Sequence, residues 1–351
     1  MCVTERPTKP KTLEKPMTRK LASVRRIDHV VPHKNADRLE VAILGGWPAI
    51  VPKGQYSAGD LVVFCEVDSL LPPHPAYDFL AGSSSYRQPD GTVVYRIKTI
   101  RMRGQLSQGL VLPLSILGPL RDTPLLEGQD VTGELGITKY ELPGGGNGGT
   151  GTRFPSFIPK TDEERIQNTD MRSVAGRVFH VSEKLDGSSC TVFSSEDGRV
   201  GVCSRNLELD EVPNNNRFWT AARASGAVSA LQECTLQLAI QGEVVGPGIQ
   251  GNPYDLNENR FFAFNVYDIR AQQYLPKQQF LDFCRSWGIL TVPVFGELTC
   301  PRTREDVLSL AEGKSLLNPG VEREGLVWVN DDAFRLSFKS VSNSWLLESG
   351  K

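Results

Sequence analysis

The chain has 351 residues, enough for two globular domains with separate cores. Its 39% hydrophobic and 23% charged residues are ordinary for a soluble protein, and a formal net charge of -2 means that any nucleic acid must be gripped by local basic surface. No apolar run approaches a membrane span, since the longest, Leu110 to Leu117, is broken by Pro113, and the opening residues lack the apolar core of a secretory signal.

Residues 1–20 are rich in Lys, Pro and Thr, carry Glu5 and Glu14, and read as a solvated, flexible tail. Short apolar alternations follow over 21–140, at Leu21 to Ile27, Leu39 to Leu44, Trp47 to Val51 and Leu61 to Val67, with a turn at Ser57 to Asp60. Short strands at this spacing predict a small β-barrel. A glycine-dense run, Gly144 to Gly151, marks a linker over 141–153. In residues 154–351 strands are expected at Val178 to Val181, Thr191 to Ser194, Arg199 to Ser204, Thr235 to Val245, Arg260 to Ile269, Gly325 to Asn330 and Phe334 to Val341. Helices are expected at Asn214 to Leu231, Lys277 to Trp287 and Arg302 to Glu312. They interleave without a regular βαβ repeat, so the class is α+β, a β-barrel followed by antiparallel sheets with flanking helices.

Cysteine and histidine narrow the chemistry. The 7 cysteines are scattered and form no Cys-x-x-Cys pair, which points to a reducing compartment and away from a zinc ribbon. The 4 histidines show no metal-ligand spacing, so the expected metal is Mg²⁺ (or Mn²⁺) held by carboxylates, waters and phosphates. The expected location is intracellular, cytoplasmic or nuclear, with a mitochondrial destination left open.

The sharpest local signal is Glu183-Lys184-Leu185-Asp186-Gly187, a lysine in a tight turn between two strand-like segments. Alone it reads more readily as a surface turn. Glu243 lies on the face of its strand opposite Leu236, Leu238, Ile240 and Val244, together with Gln237 and Gln241. Lys339 lies on the face opposite Leu336 and Phe338, together with Arg335 and Ser337. Each strand taken singly also fits a solvated sheet face.

Taken in order, these segments resemble the covalent nucleotidyltransferase superfamily of ATP-dependent ligases and mRNA-capping enzymes, from about Phe154 onward. Lys184-Leu-Asp-Gly187 is similar to the signature whose lysine becomes attached to the nucleotide. Ser204-Arg205-Asn206, Gln241-Gly-Glu243, Phe262 to Asp268, Glu324-Gly-Leu-Val327 and Ser337-Phe-Lys339 resemble the signatures that follow. The last is often written with two lysines, and here Ser337 takes the earlier place, leaving Lys339 alone. The first half resembles an OB fold placed N-terminally, and His33 to Val41 and Gly59 to Phe64 are also similar to tRNA-binding OB modules. That layout, with a lead-in similar to Phe154 to Asn168, resembles the RNA ligases typified by those of Deinococcus and Naegleria. No C-terminal OB domain follows Lys339 in this sequence, which disfavours the alternative of GTP-dependent capping. A third reading, a non-catalytic RNA-binding protein with a ligase-like fold, is disfavoured by Lys184, Asp186, Glu243, Glu324 and Lys339 all being present.

The resemblance implies ATP as substrate, with an RNA break bearing 3′-OH and 5′-phosphate ends, nicked or broken in a duplex, as partner. It implies that Lys184 attacks the α-phosphate, that AMP passes to the RNA 5′-phosphate, and that the 3′-hydroxyl displaces AMP. A free lysine has a pKa near ~10.4, and lowering it to about 7 takes roughly 4–5 kcal/mol. Burial and a divalent cation supply that bias, whereas bare carboxylates oppose it. Asp186, Glu243 and Glu324 are therefore expected to hold the metal through waters. Lys339 is expected on the α-phosphate, Phe264 against adenine, Arg205 on phosphate or RNA backbone, and Arg165 on the outer phosphates. Glu183 either positions the ribose or base or is a solvated strand-end carboxylate. Arg96, Lys98, Arg101 and Arg103 form either an RNA-binding groove of the OB half or a solvated strand face. Cys190 and Cys203 are expected to pack.

Overall fold

The computed structural model describes residues 19–88, 90–122, 124–140, 151–211, 216–331 and 335–350. The tail up to residue 18, the linker from 141 to 150, and Phe334 lie outside the described residues. Two calls at these borders change. Arg19, read as tail, is held by Glu66 and the Val67 carbonyl. Gly151–Arg153, read as linker, form a strand paired with Leu207–Leu209.

In the first half, Leu61–Cys65 is a near-continuous apolar run because both of its faces are buried. Val63 and Cys65 pack with Val24, Leu71 and Tyr77, while Val62 and Phe64 pack with Leu44, Trp47 and Val51. The strand pairs antiparallel with Ala22–Arg26 and Leu110–Leu112. A second ladder joins His29–Pro32, Leu39–Leu44 and Trp47–Pro52. Further ladders are formed by Thr99–Met102 with Gln105–Gln108, and by a four-stranded sheet through Ser69–Leu71 and Val93–Arg96. Among the described residues these ladders do not close into one hydrogen-bonded ring. The OB-type barrel expected from the sequence is open, its layers joined by side chains.

The second half is built on two antiparallel sheets. A seven-stranded sheet runs in the order 151–153, 207–209, 200–203, 188–194, 238–245, 260–268 and 273–274. A four-stranded sheet runs in the order 294–299, 178–184, 325–330 and 336–341. Helices cover the outer face of the larger sheet, where Phe218, Trp219, Leu231 and Phe280 pack on Val192, Ile240 and Val266. Asn214 and Asn215, the expected start of the long helix, lie outside the described residues; beyond them the helix is two, Arg217–Ala224 and Ala227–Glu233. Gly226 at φ 82 breaks them, a conformation that continues no α-helix. Asn216 starts the first by accepting from the amides of Phe218 and Trp219.

The two halves meet through buried polar groups. Glu66, fully buried, is held by Arg19 at 3.0 Å and by Arg25 at 2.8 Å. Arg25 also reaches the side-chain oxygen of Asn168 at 2.8 Å, which in turn accepts from the indole of Trp47 at 3.4 Å. Gln108 donates to Asn343 at 3.0 Å, tying the first half to the C-terminal helix Asn343–Ser349.

Candidate active site

The turn Leu185–Gly187 carries the chain from the four-stranded sheet, which Lys184 ends, into the seven-stranded sheet, which Ser188 begins. A Cβ on Gly187 would meet the Val244 carbonyl at 2.5 Å and Glu243 Cγ at 2.7 Å, so only glycine lets the turn lie against the neighbouring strand 238–245. The Asp186 amide donates to the Tyr254 hydroxyl at 2.6 Å, fixing the turn. Lys184 thereby lines a cleft of about 680 Å³ between the sheets, a volume suited to a nucleotide-sized ligand.

Lys184 Nζ lies 2.8 Å from Glu324 Oε2, which opens the adjacent strand, where Gly325 pairs with Lys184 itself. Burial works to lower the Lys184 pKa, but Glu324, Glu243 and Asp186 outweigh it and hold the ammonium above its ordinary range. Burial, reinforced by Glu324 and Asp186 and opposed by Lys184, pushes Glu243 up to about 8. Lys339 is displaced the other way. Burial and the charges of Lys184, Arg165 and Arg19 bring it down to about 7.

Glu183 is buried and lines the same cleft as Lys184, which excludes the solvated strand-end reading. Its Oε2 accepts from the Leu316 amide at 2.8 Å, while its buried Oε1 has no hydrogen-bond partner. Burial raises its pKa against these bonds. Phe264 lies on the cleft, half-buried in a cluster with Leu185, Tyr254 and Val292, and Val327 lines the cleft from the other sheet. Arg205 lines the cleft with its guanidinium on Asp162, at 2.7 and 3.0 Å. Arg165 is buried beside Lys339, with Asp68 at 3.9 Å and Trp47 beneath it, and its Nε and Nη1 lack partners.

The structure therefore brings Lys184, Glu183, Asp186, Arg205, Glu243, Phe264, Glu324, Lys339 and Arg165 to one cleft. It divides the basic cluster of the first half. Arg96 is buried on the cleft, its guanidinium 3.4 Å from the centre of the Tyr140 ring, whereas Lys98, Arg101 and Arg103 are exposed outside it. Three acidic, His or Cys side chains never converge closely enough among the described residues to ligate an ion directly. Three carboxylates around one ammonium nonetheless make a site that suits a hydrated cation. Cys190 and Cys203 are fully buried and pack, their thiols pushed up by burial.

Sequence reasoning missed Arg19, Asp68, Asp162, His180 and Lys277, all of which line the cleft. Asp162 lay within the lead-in segment already singled out; the others come from ordinary-looking strands, loops and a helix start. Lys277 is lowered to about 8 by burial, and His180 lies 3.3 Å from Asp331 and 3.6 Å from Glu297.

Comparison with known proteins adds identity to this geometry. A family model described as an OB-fold domain matches residues 21–114, and one described as RNA ligase matches residues 177–341. A search of curated proteins finds no match. Among solved structures, an apo variant of Naegleria gruberi RNA ligase is 37% identical with a TM-score of 0.88, covering 94% of this chain and 98% of that one. A variant of the same ligase with AMP and Mn is 38% identical with a TM-score of 0.88, covering 93% and 98%. The form with PPi is 38% identical with a TM-score of 0.87, covering 94% and 98%.

Proposed function

This chain belongs to the family of ATP-dependent RNA ligases with an N-terminal OB domain, and we propose that it joins 3′-OH and 5′-phosphate RNA ends through lysyl-AMP and RNA-adenylate. The observation that carries this reading is Lys184 in the cleft, 2.8 Å from Glu324 and grouped with Glu243, Asp186 and Lys339.

Lys184 Nζ attacks the α-phosphorus of ATP, forming the N–P bond as pyrophosphate leaves. The RNA 5′-phosphate then displaces the lysine, and the 3′-hydroxyl oxygen finally displaces AMP. Attack needs the neutral amine, yet the surrounding carboxylates favour the ammonium. Asp186, Glu243 and Glu324 are suited to hold Mg²⁺ or Mn²⁺ through waters. Such an ion supplies the positive charge that favours the neutral amine and offsets negative charge at the reacting phosphate. Lys339, brought down to about 7 in the free protein, is shifted towards its charged form when it meets phosphate and so stabilises the equatorial oxygens.

Phe264 and Val327 offer opposing apolar faces to adenine. The unpartnered Oε1 of Glu183 suits a donor such as the adenine amino group, and a guanine carbonyl there would be repelled. Arg205 suits the 5′-phosphate once Asp162 yields it, and Arg165, with two unpartnered nitrogens, suits the outer phosphates. The reading extends to repair of broken or nicked duplex RNA.

The test is a nicked RNA duplex labelled at its 5′-phosphate, with ATP and Mg²⁺. The expected result is a transient RNA-adenylate followed by sealed strand; a 5′-OH end should give neither, and a 3′-phosphate end should give RNA-adenylate that is not sealed. Sealing with GTP alone, or none despite self-adenylylation, would contradict it.

A further inference from the structure

We propose that the hairpin Thr99–Gln108 is a docking surface for duplex RNA beside the break, an inference that rests on the RNA-joining reading above. Its first strand leaves Ile100 and Met102 exposed, at 43% and 39%, beside the exposed Lys98, Arg101 and Arg103. No acidic residue occurs in the sequence between Asp90 and Asp122. The strand alternates, so Arg101 projects from one face of the two-stranded ribbon and Ile100 and Met102 from the other; such a ribbon offers cations to phosphates and aliphatic side chains to apolar sugar edges.

The hairpin is braced rather than loose. At its tip Arg103 takes φ 48, the Met102 carbonyl meets His33 Nε2 at 3.1 Å, and the Arg103 carbonyl accepts from Asn35 at 2.9 Å. At its base Gln108 donates to Asn343 at 3.0 Å. The C-terminal helix begun by Asn343 packs against the Thr99–Met102 strand and turns Trp345 and Leu346 into the nucleotide cleft. The helix thus touches both the hairpin and the cleft that holds Lys184, which puts the hairpin beside the site and not remote from it.

The side chains favour a duplex over a single strand. Non-specific capture of single strands relies on aromatic platforms for unstacked bases, and the hairpin carries none. Duplex RNA is held by its shape, through phosphates and the shallow minor groove, for which cations and aliphatic contacts suffice.

Fluorescence anisotropy of the full chain with a labelled nicked RNA duplex, and with a 5′-phosphate single strand of the same sequence, tests this across a salt series. The variants are Lys98→Gln, Arg101→Gln and Arg103→Gln, singly and combined, and Ile100→Ser with Met102→Ser. The combined charge variant is expected to bind the duplex at least about tenfold more weakly. It should also lose about 2–3 from the slope of log affinity against log salt, each single variant losing about 1. The aliphatic pair is expected to lose affinity severalfold at unchanged slope, and all variants to keep self-labelling with ATP. Unchanged duplex affinity would overturn the proposal, and an equal loss on the single strand would overturn the assignment to duplex. Wild-type protein that binds the duplex but never seals it would overturn the joining reading and leave the docking surface standing.

Discussion

Lys184 Nζ and Glu324 Oε2 form an ion pair of 2.8 Å across neighbouring strands, so the proposed nucleophile rests beside the carboxylate that most strongly keeps it protonated. The same carboxylate suits a hydrated metal, which makes the pair a contact to be broken before chemistry. Glu324→Gln is expected to lower the Lys184 pKa and, through loss of the metal's support, to reduce self-adenylylation roughly 100-fold. Amine-reactive labelling of Lys184 against pH, beside the ATP-labelling rate, checks both halves. A variant with unchanged labelling pH would show that Glu324 does not set the protonation.

Lys339, brought down to about 7, makes a pH-dependent demand. Its folded pKa lies below its unfolded value, so its stability penalty is complete below pH 7 and is relieved as pH rises towards the unfolded pKa. Lys339→Met is therefore expected to raise stability by on the order of 1–2 kcal/mol at pH 6, and by less at pH 9. Urea titrations at both values measure this. At pH 8, calorimetry in buffers of different ionisation enthalpy should show ATP binding with proton uptake in the wild type and a smaller uptake in the variant.

Phe264 is expected to carry stacking with the base. Phe264→Ala should weaken ATP binding by about 1–3 kcal/mol and leave the urea midpoint little changed, since the side chain is only half-buried. Direct titration with a non-hydrolysable ATP analogue checks it, and unchanged affinity would move the base elsewhere in the cleft.

Asn168 joins the two halves by accepting from both Arg25 and Trp47. Asn168→Ala strands two donors and is expected to cost about 1–3 kcal/mol. Denaturant unfolding followed separately by tryptophan fluorescence and circular dichroism should show the loss, while phosphate chemistry at Lys184 continues in the folded fraction.

The Lys184 turn was legible because its residues are contiguous and the strands on either side alternate clearly. Glu243 and Lys339 were legible as faces of strands, but the alternation misjudged what covers those faces. Gln241 was expected on the same face as Glu243, for which a solvated sheet face was one of two readings. It is fully buried because the lead-in segment crosses it, its amide donating to the Pro159 carbonyl at 2.7 Å. Likewise Arg96 and Lys98 looked like one patch, and tertiary packing sends Arg96 into the cleft and leaves Lys98 outside. Asp162 and Lys277 reach the cleft from segments with no pattern of their own, since only the assembled sheets bring them there.

The central claim is that Lys184 becomes covalently adenylylated. Purified protein incubated with α-³²P-labelled ATP and Mg²⁺ and resolved on a denaturing gel tests it most directly, beside Lys184→Met and a parallel set with labelled GTP. The account predicts label from ATP alone, abolished in the variant and reversed by added pyrophosphate. Label persisting in folded Lys184→Met, or arising from GTP in place of ATP, would contradict it.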